Sequence, residues 1–163
     1  MSVRLIRTSH PKEPFPRQLF LEPPGNRVGE VRVKVTITNA TDAVLADEGR
    51  LPEDQVRCCE VDALVDTGAV SSVVPRAVLE AIGVHSRTTR EATFADGRSE
   101  IVDVSNPILV LVEGRDVIEE ALIFGDEVLL GQTVLERTDL LVDCANNRLV
   151  PNPSHPNGPS YRV

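Results

Sequence analysis

Tryptophan is absent from this 163-residue chain, and tyrosine occurs once. With four phenylalanines the aromatic share is only 3%, so the 41% apolar content is carried mainly by Val, Leu, Ile and Ala. An aliphatic, β-branched bias of this kind favours strands over helices. Positive charge is short as well: 17 Lys and Arg stand against 25 Asp and Glu, a formal charge of -8. A nucleic-acid partner would require a basic face, so none is expected. The negative balance by itself specifies no function, because it also serves solubility.

Cysteine is scarce too. Cys58, Cys59 and Cys144 are odd in number with two adjacent, which is not a disulfide framework. No further Cys or His stands beside them at ligand spacing, and His10, His85 and His155 are scattered. A metal site is therefore not expected, nor a Ser-His-Asp array, and no cofactor is expected. Three reduced thiols suit a reducing compartment. Arg4 and Arg7 precede no apolar run of signal-peptide length, and no run reaches membrane-spanning length, so the expectation is a soluble, cytoplasmic protein with no membrane partner.

Proline, in contrast, is plentiful and concentrated at the two ends. Residues 1–28 hold Pro11, Pro14, Pro16, Pro23 and Pro24 and read as a Pro-rich extended arm or flexible leader. Residues 152–163, after Pro151, carry Pro153, Pro156 and Pro159 and read as a loose tail. Between them lies a segment, 29–151, of ordinary length for one domain.

Within that segment Val31, Val33, Val35 and Ile37 alternate with polar residues, the period of a half-buried strand. Asn39 to Val56 reads as a long acidic connection broken by Gly49 and Pro52, and as a mobile one. A strand is expected over 57–65. Val73-Val74 resumes extended structure, and Pro75 suits the first turn of a short helix with Ser72 as its cap. Val78, Leu79 and Ile82 share one face of that helix, and Gly83 stops it. Arg90 to Phe94 and Ser99 to Val104 flank Ala95-Asp96-Gly97-Arg98, a hairpin signal. Ile108 to Val112 is continuously apolar and expected to be buried on both faces. A turn at Glu113-Gly114 leads to a partner strand over Val117 to Phe124. Val128 to Leu130, a brief helix over Gln132 to Thr138, and strands at Leu140 to Val142 and Arg148 to Val150 complete the domain.

The unusual stretch is Ala63-Leu64-Val65-Asp66-Thr67-Gly68-Ala69. An apolar run delivers one carboxylate onto a tight turn, and carboxylates avoid interiors unless they are paired, hydrogen-bonded or reactive. Taken alone, Asp66 reads as an aspartate capping a turn with its own side chain. Asp62, Asp96, Asp103, Asp126 and Asp143 read as surface or turn carboxylates.

Leu64-Val65-Asp66-Thr67-Gly68-Ala69, followed 65 residues after Asp66 by Leu129-Leu130-Gly131 and a short helix, with a hairpin between, resembles the retropepsin-like aspartic proteases. These are the single-domain relatives of the pepsins. The resemblance covers roughly 29–151. It implies an all-β fold, a retropepsin-like acid protease barrel with one or two short helices and one lobe per chain. It implies an aspartic endopeptidase working as a symmetric homodimer on a peptide or protein substrate. Asp66, Thr67 and Gly68 would form the catalytic turn, while Ala69 and the flap residues Phe94, Ala95, Asp96 and Gly97 would bind substrate. The sequence departs from the retroviral pattern at Val70, Ser71 and Gln132, where acidic residues and an arginine often stand. Those departures leave room for a non-catalytic peptide- or partner-binding module on the same fold. A structural dimeriser using the proline-rich ends is a third reading.

Overall fold

The computed structural model describes residues 3–6, 18–21 and 29–160. Strands β1 (Val3–Ile6) and β2 (Gln18–Leu21) pair antiparallel within the stretch expected to be an arm. The rest of 1–28 lies outside the described residues, as do 161–163.

From Gly29 onward the chain follows the expected succession. Strand β3 (Arg32–Asn39) is buried at Val33, Val35 and Ile37, as its period of two requires, and also at Thr38 and Asn39, and it pairs antiparallel with β4 (Cys58–Val65). After β5 (Val73–Val74) comes helix α2 (Arg76–Ala81), which turns Val78, Leu79 and Ile82 fully inward. The hairpin is β6 (Ser86–Thr93) with β7 (Ser99–Ser105), and the next is β8 (Ile108–Val112) with β9 (Arg115–Glu119). Short strands β10 (Leu122–Ile123) and β11 (Val128–Leu130) precede helix α3 (Gln132–Thr138). The chain closes with an antiparallel pair, β12 (Leu140–Asp143) and β13 (Arg148–Pro151).

Nine strands form one sheet in the order β6-β7-β10-β5-β11-β4-β3-β8-β9. Its inner face is aliphatic. Val33, Val35, Ile37, Val61, Ala63, Ile108, Val110 and Val112 pack with Val78 and Leu79 of α2 and Val134 and Leu135 of α3. With so few aromatic rings available, branched aliphatic side chains fill this core. Cys59 is buried in it and Cys58 is buried outside that cluster, and burial pushes their thiols up to about 12 and about 11 respectively, so they are poor nucleophiles.

Several local expectations give way. The acidic connection is partly a helix, α1 (Ala40–Asp47), followed by a turn of 3-10 helix at Glu53–Gln55. The Asn39 side chain caps α1, accepting from the amides of Thr41 (3.0 Å) and Asp42 (3.2 Å), and its own amide donates to the Ile82 carbonyl (3.1 Å). Asp42 is buried and takes a two-pronged ion pair from Arg57, at 2.6 and 2.8 Å, plus the Arg57 backbone amide at 3.1 Å. An eight-residue helix is marginal on its own, and these tertiary bonds are what hold it.

Ser72 does not cap α2; Pro75 occupies the cap position. Strand β8 is buried on one face only, with Leu111 exposed. The strand expected over Val117 to Phe124 is two, because the chain leaves β8 after Glu119 and joins β5 and β7 at Leu122. The tail is fastened as far as His155. Its ring nitrogen Nδ1 lies 2.6 Å from the Asp139 carboxylate, Asn152 donates to that carboxylate at 2.8 Å, and Arg115 donates to the His155 carbonyl at 2.9 Å.

The Arg57 hydrogen bonds hold the Asp42 carboxyl below the usual carboxylate range, against the opposing effect of its burial. A depressed native pKa gives stability that is complete above the unfolded pKa and is lost as pH falls through the native one. Asp42→Asn should therefore cost about 2 kcal/mol near pH 7. Denaturant titrations of both proteins should show that gap closing as the pH drops below about 4. A gap independent of pH would mean that the ion pair is not its source.

Candidate active site

The geometry at Asp66 follows from strand pairing. β4 runs parallel to β11, with Ala63, Leu64 and Val65 opposite Val128, Leu129 and Leu130. Where that ladder ends, the Asp66 amide donates to the Leu130 carbonyl at 3.0 Å. Asp66 is thus the first residue past the strand, half-buried, with its backbone already fixed. One oxygen of its carboxylate accepts the Gly68 amide at 2.9 Å, and the Ala69 amide closes the turn onto the Asp66 carbonyl at 3.2 Å. A β-carbon on Gly68 would lie 3.2 Å from that same carboxylate oxygen, so glycine keeps the approach open. Thr67 and Gly68 are exposed, and Val70 is 75% exposed.

The residues that follow are bound to the start of α3. The first amides of any helix lack partners inside it. Here the Gln132 amide donates to the Ala69 carbonyl (2.7 Å) and the Thr133 amide to that of Val70 (3.1 Å). The Thr133 hydroxyl also donates to Val70, at 2.8 Å, and the Ser72 hydroxyl accepts the buried Gly131 amide at 3.0 Å. The two backbones come so close that a β-carbon on Gly131 would stand 2.5 Å from the Ser71 carbonyl carbon and 2.8 Å from the Ser72 nitrogen. Only glycine fits there.

Phe94, Ala95, Asp96 and Gly97 form a separate turn at the tip of the β6–β7 hairpin. The Phe94 amide donates to the Arg98 carbonyl (2.8 Å) and the Gly97 amide to the Phe94 carbonyl (2.9 Å), with Gly97 at φ +82°. Asp96 is held by Arg98 at 2.6 Å, a turn carboxylate in its contacts, and that hydrogen bonding lowers its pKa. The Phe94 ring meets Phe124 at 5.0 Å between centroids, and the Arg98 guanidinium lies over Phe94 at 6.0 Å. The tip therefore leans on the loop that follows β10. Asp66, Thr67, Gly68 and Ala69 are brought together with Gly131, while the hairpin tip stays on its own element at the far side of the sheet order.

Beside Thr67 lies an open groove of about 410 Å³, lined by Gln132, Leu135, Leu140, Leu141 and Val142 among others. Sequence reading did not anticipate this groove, nor Ser72 and Thr133 as the ties between the two loops. The small hydroxyl residues around the glycine turns were the available signal. Among the described residues, no group of three His, Cys, Asp or Glu side chains is placed to hold a metal ion, and no helix is long and apolar enough to cross a membrane.

The aspartyl protease family matches residues 33–142, two parallel strands, helix and hairpin included, and the chain belongs to that family. Its fold is the retropepsin-like, mostly β arrangement described above. No curated protein matches the chain. Among solved structures, a foamy viral protease-reverse transcriptase in complex with an RNA/DNA hybrid is similar at 16% identity and a TM-score of 0.43. That match covers 66% of this chain and 12% of the viral one, so the chain spans only a small part of that protein's length.

The contact at Gly131 is backbone against backbone and has no flexible side chain to yield. Gly131→Ala should lower stability by about 1–3 kcal/mol or more, read as a fall in the denaturant midpoint. An alanine variant as stable as the parent would show that the two loops are not in contact in solution.

Proposed function

We propose that the chain is an aspartic endopeptidase working as a symmetric homodimer, in which the two Asp66 carboxylates activate the attacking water. The observation that carries this reading is the turn itself. Asp66 stands at the end of paired parallel strands, its backbone is fixed by Leu130, and its side chain is oriented by Gly68.

A single aspartate is a weak base at neutral pH. Two carboxylates held side by side cannot both ionise easily, so they share one proton, and aspartic proteases are the type case of this behaviour. The ionised partner takes a proton from water while the protonated one polarises the peptide carbonyl. The pair titrates as a unit, so its pKa values belong to the dimer. Thr67, exposed in the isolated chain and lining the groove, and the exposed Val70 supply the surface a second copy would cover. Thr67 then locks one turn against the other. Ala69 and the residues Phe94 to Gly97 are proposed to bind an extended peptide, the hairpin tip closing over it and excluding water.

The departures at Val70 and Gln132 favour a second reading, a peptide-binding dimer without turnover. Gln132 is bonded to Glu136 on its own helix (3.1 Å) and makes no ion pair with the loop. A wild-type dimer that binds peptides but cleaves none across a broad library and pH range would favour this alternative.

For the leading reading, Asp66→Asn should leave sedimentation unchanged and lower peptide cleavage by about 10²–10⁴-fold. Cleavage that survives intact would overturn it. At constant total protein, replacing wild type with inactive Asp66→Asn subunits should reduce activity as the square of the wild-type fraction, because mixed dimers lack one carboxylate. A strictly proportional loss would rule out a shared site.

A further inference from the structure

Phe94 and Phe124 are two of only four phenylalanines in the chain, and neither belongs to the core. Their rings meet at 5.0 Å between centroids, tilted by 45°. Phe124 remains 44% exposed. A chain this poor in aromatic rings has placed a pair of them at its surface, where they join the β6–β7 hairpin to the segment after β10. Gly125, Asp126 and Glu127 separate Phe124 from β11, whose Leu130 carbonyl accepts the Asp66 amide at 3.0 Å.

The outer half of the hairpin has few other moorings. From Thr89 to Ile101 every residue is exposed except Ala92 and Phe94. These stand two residues apart, so along an extended chain they share one face. Among the described residues, no hydrogen bond or ion pair joins 89–101 to another element. Arg98 pairs with Asp96 and Glu100, and Thr93 with Ser99, all within the hairpin. The tip itself is firm. The Phe94 amide donates to the Arg98 carbonyl, the Gly97 amide donates to the Phe94 carbonyl, and the Arg98 guanidinium covers the Phe94 ring. A tip bonded in this way moves as a unit.

We propose that Phe124 is a positioning residue for the hairpin tip. Its ring is the seat on which Phe94 latches, and it ties the tip to the segment entering β11, the strand that holds Asp66. One aromatic contact favours the latched position by only about two- to tenfold. A lid held so weakly stays unlatched part of the time, admits an extended peptide and then returns to the same seat. Without the Phe124 ring the tip has no seat, so a peptide is held less tightly while Asp66 keeps its own bonds.

The role of the tip as a lid rests on the aspartic-protease reading, and the latch itself does not. In full-length Asp66→Asn protein, NMR should show cross-relaxation between the ring protons of Phe94 and Phe124. Backbone order parameters at Asp96 and Gly97 should fall on adding Phe124→Ala and recover with Phe124→Tyr. Absent ring cross-peaks, or a tip that Phe124→Ala leaves unchanged, overturn the proposal whether or not the protein cleaves anything.

Kinetics follow on a peptide chosen from a broad library by wild-type cleavage. Phe124→Ala should raise KM by about two- to tenfold and leave kcat within about twofold. Phe94→Ala should raise KM at least as much. The double variant should be no worse than Phe94→Ala alone, since either removal breaks the same contact. Phe124→Tyr, which keeps the ring, should keep the wild-type KM. A Phe124→Ala enzyme with wild-type KM, or two losses that multiply in the double variant, overturns the proposal. Absence of cleavage by wild type, together with ring cross-peaks and a tip loosened by Phe124→Ala, overturns the protease reading and leaves the latch standing.

Discussion

The close crossing of the Leu130-Gly131 backbone against Ser71-Ser72 is the constraint on which the rest of the site depends. Two segments far apart in sequence meet with no room for a single β-carbon between them. That approach lets the Ser72 hydroxyl reach the Gly131 amide and lets the Ala69 and Val70 carbonyls take up the first amides of α3. The helix start and the turn thereby satisfy several of each other's polar groups. The Asp66 carboxylate on that turn is held in place by the Gly68 amide within its own chain.

The same economy recurs away from the site. Asp42 and Arg57 fasten α1, Arg115 and Asp139 fasten the segment after β13, and each uses side chains that a linear reading assigns to acidic surface or loose tail. Arg115 is informative because it donates to three carbonyls on two segments, those of Thr138, Asp139 and His155. A guanidinium with a fixed fork of donors is suited to gathering orphaned carbonyls at a helix end. A sheet with few aromatic side chains beneath it is closed at its margins by these polar clamps.

Much of the fold was legible because its strands announce themselves by period. β3 alternates, the β6–β7 and β8–β9 hairpins turn at Asp96-Gly97 and Glu113-Gly114, and α3 spans the residues its sequence suggests. The misses share one cause. α1 carries little apolar pattern and buries Asp42, the split of β9 from β10 happens inside a continuous strand-like run, and Ser72 looks like a helix cap. In each case a contact with a residue distant in sequence outweighs the local preference. Glu119 belongs to the same group, since nothing beside it in the chain distinguishes a buried carboxylate from a surface one.

By itself the sequence determined the aliphatic core and the Asp66-Thr67-Gly68 turn, because periodicity and turn chemistry are local properties. Membership of the aspartyl protease family rests on the match over residues 33–142. Only the tertiary structure decided that Leu130 holds the Asp66 amide, that the Ser72 hydroxyl accepts the Gly131 amide and makes glycine necessary there, and that the groove beside Thr67 is left open. The physical reason is that hydrogen-bond partners and burial are set by which strands become neighbours. The parallel pairing of β4 with β11 joins residues that no local pattern connects.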